Sequence, residues 1–340
     1  MAQAESVAVD IHHHYIPAAL IDEARRSGKT LGVEVVDDGR NEIGLRYAGG
    51  PPHGTNRDLM DVDRRLAMMD DCKIAVAAAA PHTAALAYGL DGAQGESWCR
   101  LYNEGFRELV NEHAARFAGV AAAPLQDPPR AARVLEHAVR DLGLCGVLIG
   151  SNVRGRYYDS EFFDPFWNKA QELDVLVIMH PEDVAGGERM GPYGLRTICG
   201  NPADSTLSIG YMAYGGVFDR FPNLKLCVLH GGGFFPYHLG RFDQGFEVRR
   251  GTRAAQSSSP PSAYLKNLYF DTLVYRADTL AYLRRLVGSA RLMIGTDYPF
   301  TLGDWKAVEK VEALDCAQAD KDAILFENAR RLLKLPARSG

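Results

Sequence analysis

VAVDIHHHYIP, residues 7–17, is an apolar run that ends in three consecutive histidines. Because side chains alternate between the two faces of a β-strand, His12 and His14 project from one face of this run, and His13 projects from the other. Two imidazoles that leave one strand in the same direction can bind a single divalent ion. The stretch therefore predicts a strand that carries half of a metal site.

Three later apolar runs each end in one polar residue of a kind that binds metal or transfers protons. They are VLVIMHPE (175–182) with His180, LKLCVLHGGG (224–233) with His230, and RLMIGTDYPF (291–300) with Asp297. A single histidine at a strand end is usually structural. Core packing does not predict such residues at the ends of several apolar runs, however, because buried polar groups are costly without partners. We therefore expect the ends of four strands to meet at one rim.

The apolar runs alternate with longer segments of helical period, which is typical of an α/β fold. Eight strands are predicted, at residues 7–14, 74–80, 118–124, 146–152, 175–180, 224–230, 267–273 and 291–297. Their nearly continuous apolar character favours parallel strands that are covered on both faces. A doubly wound open sheet is the alternative, but no GxGxxG motif follows the first run. The pattern predicts a (β/α)8 TIM barrel.

The segment between the first two strands breaks this alternation. From about residue 16 to 70 it contains short alternating pieces such as VEVVDDG and IGLRYAGG. It predicts a small β-rich insertion at the barrel mouth, where the loops after the strands build active sites. The chain closes with ADKDAILFENARRLLKL, which predicts a C-terminal amphipathic helix. We expect residues 1–340 to form a single domain.

Composition and charge exclude several classes of protein. The formal net charge of −5 at pH 7, with no cluster of Lys and Arg, argues against a nucleic-acid partner. No window approaches 18 uninterrupted apolar residues, and the first residues lack the pattern of a secretory signal, so we expect a cytoplasmic protein without a membrane span. The 6 cysteines form no CxxC pair and are expected to be reduced.

The polar residues at the strand ends suit a catalytic metal ion. Such an ion takes three or four nitrogen or oxygen ligands and keeps a position open for water, whose pKa it lowers. His12, His14, His180 and Asp297 would supply these ligands. Zinc is the expected ion, with manganese and iron as alternatives, because this ligand set selects weakly among them. His230, followed by three glycines, is expected to transfer a proton.

Several motifs resemble the amidohydrolase superfamily, namely HxH, HP, HGGG and GTDYPF, together with the blocks DIHHHYIP (10–17) and GGVFDRFPNLKLCVLHGGGFFPYHLGRF (215–242). The resemblance is to the branch of 2-amino-3-carboxymuconate-6-semialdehyde decarboxylase, and it covers nearly the whole chain. It implies a barrel that uses one divalent ion, and no organic cofactor, to remove CO2. The family's metal ligands fall on the four residues named above, and its catalytic base falls on His230.

The resemblance also implies residues that hold the substrate. Arg241 stands eleven residues after His230, where relatives carry an arginine that binds a substrate carboxylate in the neighbouring subunit. This implies a homodimer and a small carboxylate substrate, although an ion pair at a helix surface or interface is the alternative for Arg241. Arg46 aligns with a second family arginine. His82, just after the second strand, is expected to line the mouth or to serve a structural role in its loop.

The chain departs from the type enzyme in the stretch after the HP motif. Gly194 and Thr197 stand where that enzyme carries tryptophans, so two aromatic walls are missing. Arg196 lies between them and would bind a second carboxylate or be solvated. The departure indicates a substrate that differs from the type enzyme's own.

The expected reaction is the non-oxidative decarboxylation of a conjugated carboxylic acid, such as a carboxymuconate semialdehyde or an ortho-hydroxyaryl carboxylate. An HxH first strand, in place of the ExH of several aromatic-acid decarboxylases of the branch, favours the former. The alternatives are a metal-dependent hydrolase or hydratase of the same superfamily, or a barrel that only binds a ligand. The fourth strand, CGVLIGSNV, offers no lysine to bridge two metals, which favours a site for one ion.

Overall fold

The computed structural model describes residues 7–37, 42–252 and 254–336. Its strands, in chain order, are β1 (Ala8–Tyr15), β2 (Val33–Asp37), β3 (Glu42–Tyr47), β4 (Pro52–Asn56), β5 (Ile74–Pro81), β6 (Phe117–Ala121), β7 (Gly146–Gly150), β8 (Leu176–His180), β9 (Lys225–Val228), β10 (Leu268–Asp271) and β11 (Leu292–Met293). β1 and β5 to β11 form one eight-stranded sheet in that order, and β2 to β4 form a separate sheet.

The eight-stranded sheet closes into a barrel. Each strand pairs in parallel with the next, from β1 and β5 through to β10 and β11. Asp10 and His13 of β1 then form parallel bridges with Ile294 and Tyr298, which follow β11. This closure confirms the predicted TIM barrel and excludes the open sheet. It also brings the residues after β11 beside the first strand.

Helices cover the outside of the barrel and follow most of its strands. Their ranges are Ala18–Leu31, Val62–Asp71, Gly92–Glu112, Pro128–Arg140, Asp164–Glu172, Asn201–Tyr214, Val217–Arg220, Leu239–Glu247, Ala277–Val287, Ala307–Glu312, Gln318–Asp322 and Asn328–Leu332. Asp61, Asp91 and Asp127 cap three of them, because each carboxylate accepts a hydrogen bond from the backbone N–H three residues further on. Within the described ranges, no helix combines the length and apolar character that a membrane span requires.

The segment between β1 and β5 contains a small antiparallel sheet. β2 pairs with β3, and β3 pairs with β4. A helix that the alternating pattern did not predict, Ala18–Leu31, precedes this sheet and ends at Gly32, whose φ of 71° is the left-handed conformation of a helix C-cap. The insertion is therefore β-rich only in its middle, between this helix and the helix Val62–Asp71.

The predicted C-terminal helix is present and closes the side of the barrel near β11. It runs through Gln318–Asp322, a π-helical turn at Ala323–Glu327, and Asn328–Leu332. The Asn328 side-chain amide donates hydrogen bonds to the carbonyls of Ser289 and Leu292, at 2.8 and 2.9 Å. These bonds hold the helix against the start of β11.

Candidate metal centre

β1 presents two histidines to the barrel mouth and one to the opposite side. The buried rings of His12 and His14 lie with their centroids 5.1 Å apart. His13 donates its Nδ1–H to Asp10 Oδ2 at 2.9 Å and stacks on Tyr298, with a centroid distance of 5.0 Å. The structure therefore places His13 on the face that alternation along the strand predicts for it.

Two further side chains converge on His12 and His14. His180 is the last residue of β8, and its ring centroid lies 4.8 Å from that of His14. Asp297 Oδ1 lies 3.0 Å from His12 Nε2 and 3.3 Å from His14 Nε2. One ligand atom from each of the four residues lies within 4.8 Å of all the others. All four residues are buried.

The converging atoms lack partners among the described residues. His12 Nε2, His14 Nε2 and Asp297 Oδ1 are buried and, although they lie close to one another, form no well-directed hydrogen bond with any described residue. Leaving a buried polar atom unpaired costs about 1–3 kcal/mol, so three of them at one point need a common explanation. A divalent cation at that point would be coordinated by every one of these atoms, and nitrogen and oxygen donors suit zinc, manganese or iron. The arrangement fits a divalent metal site.

The outer ring nitrogen of each histidine is hydrogen-bonded, which directs the inner nitrogen to the centre. His14 and His180 each donate Nδ1–H to a backbone carbonyl, at 2.9 and 2.8 Å. His12 donates Nδ1–H to Asp271 Oδ2 at 2.8 Å. The sequence analysis missed Asp271, although it ends an apolar run, at the end of β10, as the predicted ligands do.

Burial and charge set the protonation of these groups in opposite directions. Burial lowers the pKa of His14, and it holds the pKa of His180 well below the ordinary value, so both imidazoles are neutral ligands. Burial also lowers the pKa of His12, but Asp297 and Asp271 together outweigh it and raise that pKa to about 10. A cation at this site would therefore displace a proton from His12.

His230 lies beyond the end of β9, in a left-handed turn, and not within a strand. Its φ is 57° and that of Gly231 is 61°. A side chain at Gly233 would place its Cβ only 2.2 Å from the carbonyl oxygen of Pro202, so this turn requires glycine. His230 Nε2 lies 3.8 Å from Asp297 Oδ2, too far for a hydrogen bond. The imidazole therefore borders the centre without a hydrogen bond to Asp297.

Asp297 also lies beyond the end of its strand, although it was predicted to be the last residue of that strand. β11 ends at Met293, and Asp297 has a φ of 60°. A left-handed residue cannot continue a strand, so the predicted ends of the sixth and eighth strands, at residues 230 and 297, were too late. The Asp297 backbone N–H donates to the His12 carbonyl at 2.8 Å, which fixes the carboxylate beside β1.

Two aromatic rings border His14 on the side of the mouth. The ring centroid of His82 lies 5.7 Å from that of His14. Phe300, which the sequence analysis did not single out, lies 5.5 Å from His14 and 5.1 Å from His82. Burial lowers the pKa of His82 to about 3, so this ring is neutral. His82 and Phe300 form an uncharged wall beside the predicted ligands.

Two of the predicted substrate arginines, Arg46 and Arg241, line clefts that include none of the four ligands. Arg46 forms an ion pair with Glu34, Nη1 to Oε2, at 2.5 Å, and lines a surface cleft that includes none of the ligand residues. Arg241 lines an open groove of about 960 Å³ beside the helix Asn201–Tyr214, again without a ligand residue. Arg196 begins the irregular segment Arg196–Gly200 and is exposed.

Comparisons with known proteins agree with this geometry. The chain is 35% identical over 234 residues to 2-amino-3-carboxymuconate-6-semialdehyde decarboxylase of Dictyostelium discoideum, in a match that covers 68% of this chain and 65% of that protein. It is 29% identical over 290 residues to gamma-resorcylate decarboxylase of Polaromonas sp., which covers 82% of this chain and 89% of that protein.

A solved structure extends the likeness to the fold. The crystal structure of dihydroxybenzoic acid decarboxylase from Polaromonas sp., with bound manganese and the inhibitor 2-nitroresorcinol, superposes with a TM-score of 0.79 at 25% identity, covering 96% of this chain and 97% of that one. The Amidohydrolase family pattern matches residues 9–335. With its closed parallel barrel and its four converging ligands, the chain belongs to the Amidohydrolase family.

Proposed function

We propose that the protein is a metal-dependent, non-oxidative decarboxylase of a small conjugated carboxylic acid. The observation that carries the proposal is the convergence of His12, His14, His180 and Asp297, with the proton-transfer residue His230 beside them. Two decarboxylases, from D. discoideum and Polaromonas sp., are among the relatives of the chain.

A divalent ion at this centre would supply positive charge that binds the substrate and stabilises the electrons left behind by CO2. The bond between the carboxylate and the adjacent carbon breaks, and its electron pair delocalises into a conjugated carbonyl or phenol. His230 then delivers a proton to that carbon, and water restores the proton to the imidazole. No oxidant is consumed, so the step balances with substrate and a proton alone.

The wall of His82 and Phe300 favours a planar substrate, because two neighbouring rings offer a flat, uncharged surface. Gly194 and Thr197 offer no comparable ring on the segment after His180. Arg196 is in our proposal a binding residue for a second carboxylate. Arg46 is the weakest of the proposed binding residues, because Glu34 already occupies its guanidinium. A carboxymuconate semialdehyde and an ortho-hydroxybenzoate both meet these requirements.

In our proposal the ion is zinc, which imidazole nitrogens and carboxylate oxygens bind in many proteins. Manganese is the principal competitor, because the Polaromonas dihydroxybenzoic acid decarboxylase carries it. The same nitrogen and oxygen ligands accept both ions. Reconstitution of metal-free protein with each ion, followed by an activity measurement, decides between them.

We also propose a homodimer in which Arg241 completes the site of the partner. In one chain, Arg241 lies in a groove that contains no ligand residue, and exposed Leu207 and Tyr211 line the same groove. A second copy that covers this groove would bury those apolar side chains and bring an arginine to a carboxylate substrate. Light scattering on purified protein should give twice the mass of the chain, and the mass of a single chain would refute the dimer.

Mixing two inactive variants tests the role of Arg241. A dimer of one His230→Asn chain and one Arg241→Ala chain contains one site with both native residues, if the arginine acts across the interface. Co-expression should therefore restore a substantial part of the activity that each variant lacks alone. Absence of restoration, in a sample proven to contain mixed dimers, would place Arg241 outside the partner's site.

The reaction itself is tested with a panel of carboxymuconate semialdehydes and ortho-hydroxybenzoates, in which released CO2 is measured. The proposal requires CO2 from at least one compound, and requires His230→Asn to abolish turnover while metal content is retained. Product without CO2 would indicate a hydrolase or hydratase. Near-normal turnover by the His230→Asn variant would reject the role of His230.

A further inference from the structure

We infer that Asp271 is a positioning residue that fixes both His12 and the turn at His230. It is the last residue of β10 and is fully buried. Its Oδ2 accepts the Nδ1–H of His12 at 2.8 Å, and its Oδ1 accepts the backbone N–H of Gly231 at 2.6 Å. One carboxylate thus contacts a proposed metal ligand and the residue that follows the proposed proton donor.

The bond to His12 selects the tautomer that a metal ligand needs. With the proton on Nδ1, held by Asp271, the lone pair lies on Nε2, which is the atom that faces Asp297. His14 and His180 bond to neutral carbonyls instead. A carboxylate partner makes an imidazole a stronger donor of electrons to a metal than a carbonyl does. His12 is therefore the ligand whose strength depends most on its neighbour.

The bond to Gly231 stabilises the left-handed backbone conformation of His230, which is intrinsically unfavourable. His230 adopts a φ of 57°, which is costly for a residue with a side chain. Holding the next amide against a buried carboxylate keeps the chain in this turn and keeps the His230 ring toward the centre. Loss of that bond should free the turn even when metal is bound.

The surrounding packing makes the close approach possible. A Cβ at Gly295 would lie 2.8 Å from Asp271 Cβ and 3.0 Å from His12 Cβ. Only glycine therefore lets these two side chains lie together behind the centre.

Asparagine cannot replace this carboxylate, although it has the same shape. Each oxygen of Asp271 accepts from a different N–H donor, and an amide offers one oxygen and one donating NH2. In Asp271→Asn, either His12 or Gly231 must face a donor. The variant therefore either breaks the bond to Gly231 or reverses the bond to His12, which moves the His12 proton to Nε2, and it leaves no cavity.

A matched control is available in Asp204, another buried carboxylate of the barrel. It accepts hydrogen bonds from the Asn152 amide at 3.0 Å and the Ala185 N–H at 3.1 Å, and it contacts none of the four ligand residues among the described interactions. Asp204→Asn removes a buried charge at a comparable site. It reports the effect of such a loss on the fold alone.

The test is titration of metal-free, full-length protein with Mn²⁺ alone, monitored by the electron paramagnetic resonance signal of the free ion. We expect Asp271→Asn to weaken the Kd about 10- to 100-fold and Asp204→Asn to leave it within about threefold of the wild-type value. At saturating Mn²⁺, Asp271→Asn should also lower kcat with little change in KM. An unchanged Kd in Asp271→Asn, or an equal loss in both variants, would overturn the inference.

A measurement on the wild-type protein covers the case in which Asp271→Asn does not fold. In the Zn²⁺-loaded protein with ¹⁵N-labelled histidine, NMR should show His12 as the Nδ1–H tautomer with a strongly hydrogen-bonded proton. A proton on Nε2 would overturn the inference. The inferred role of Asp271 rests on the proposed metal site, but different results would refute the role and the site. Wild-type protein that binds no Mn²⁺ refutes the site, whereas wild-type binding that Asp271→Asn leaves intact refutes only the role of Asp271.

Discussion

Arg65 is a buried cation whose removal should destabilise the barrel beside the metal centre. Its guanidinium is fully buried and donates to the carbonyls of His14 and Leu59, at 2.7 and 3.0 Å. It also lies over the rings of Tyr15 and Tyr298, at 5.1 and 4.8 Å from their centroids. Burial lowers its pKa to about 10, so it stays charged at neutral pH. It therefore joins the ends of β1 and of the segment that carries Asp297.

The Arg65→Lys variant keeps the positive charge but loses the planar guanidinium group with its paired N–H donors. A single ammonium can retain one of the two carbonyl bonds, so one charge-assisted bond of about 1.5–3 kcal/mol is lost. Stacking between two rings is weakened as well, by about 0.5–2 kcal/mol. We expect the free energy of unfolding to fall by roughly 2–5 kcal/mol, which is a large part of the 5–15 kcal/mol typical of a folded protein.

The neighbouring residue Arg64 is the control. It lies on the same helix, its side chain is 64% exposed, and it pairs with Asp58 at 2.8 Å. Because exposed ion pairs contribute about 0–1 kcal/mol, Arg64→Lys should change stability by less than about 0.5 kcal/mol. Urea unfolding at pH 7 measures both variants. Equal free energies of unfolding for the two would refute the structural role of Arg65.

Three further outcomes are expected. Burial and Arg65 lower the pKa of His13 from 6.5 to about 4. The unfolded chain therefore binds an extra proton between these values, and stability decreases by up to about 1.4 kcal/mol per unit as the pH is lowered from 6.5 towards 4. The His13→Asn variant keeps a hydrogen-bond donor but has no titrating side chain at this position. In the presence of a chelator, its free energy of unfolding should therefore fall less than that of the wild-type protein between pH 6.5 and pH 5. An equal fall in the two proteins would contradict this prediction. Phe300→Leu should raise the KM for a planar substrate about 2- to 10-fold, because an aromatic contact contributes about 0.5–1.5 kcal/mol. The Kd for Mn²⁺ should not change. An unchanged KM would show that Phe300 does not contact the substrate. Gly233→Ala should lower the free energy of unfolding in urea by roughly 2–5 kcal/mol. Gly240→Ala should raise it by about 0.5–1 kcal/mol, because a Cβ at this helical position meets no atom within 4 Å. Similar effects of the two substitutions would argue against a strained turn at Gly233.

The barrel and its ligand residues could be predicted because both follow from local patterns. Alternation along residues 7–14 is enough to send His12 and His14 one way and His13 the other. The rule that parallel strands end at one face is enough to bring His180 to them. These inferences need no knowledge of which strands are neighbours.

Contacts that depend on closure of the barrel could not be predicted in the same way. Asp271 meets His12 only because β10 and β1 lie near each other across the end of the sheet, 259 residues apart in the chain. Phe300 reaches His14 only because the residues after β11 bridge to β1. Left-handed turns are also hard to recognise at non-glycine residues, so the ends of the strands before His230 and Asp297 were misplaced.

The contact of Arg46 with Glu34 was not predicted, for a different reason. The hairpin register places Arg46 directly opposite Glu34 on neighbouring strands, where opposite charges attract. Recognising VEVVD and EIGLRY as the two arms of one hairpin would have predicted this pair. The alignment of Arg46 with a family arginine did not take into account that Glu34 lies opposite it.

Metal-dependent decarboxylation is best tested by following CO2 release as metal-free protein is titrated with Zn²⁺ or Mn²⁺, with bound metal counted by mass spectrometry. Activity should rise in proportion to bound metal and saturate at about one ion per chain, as expected for a single set of ligands, and a chelator should abolish it reversibly. Activity that is independent of bound metal, or a reconstituted protein that binds no ion, would refute metal-dependent decarboxylation at this centre.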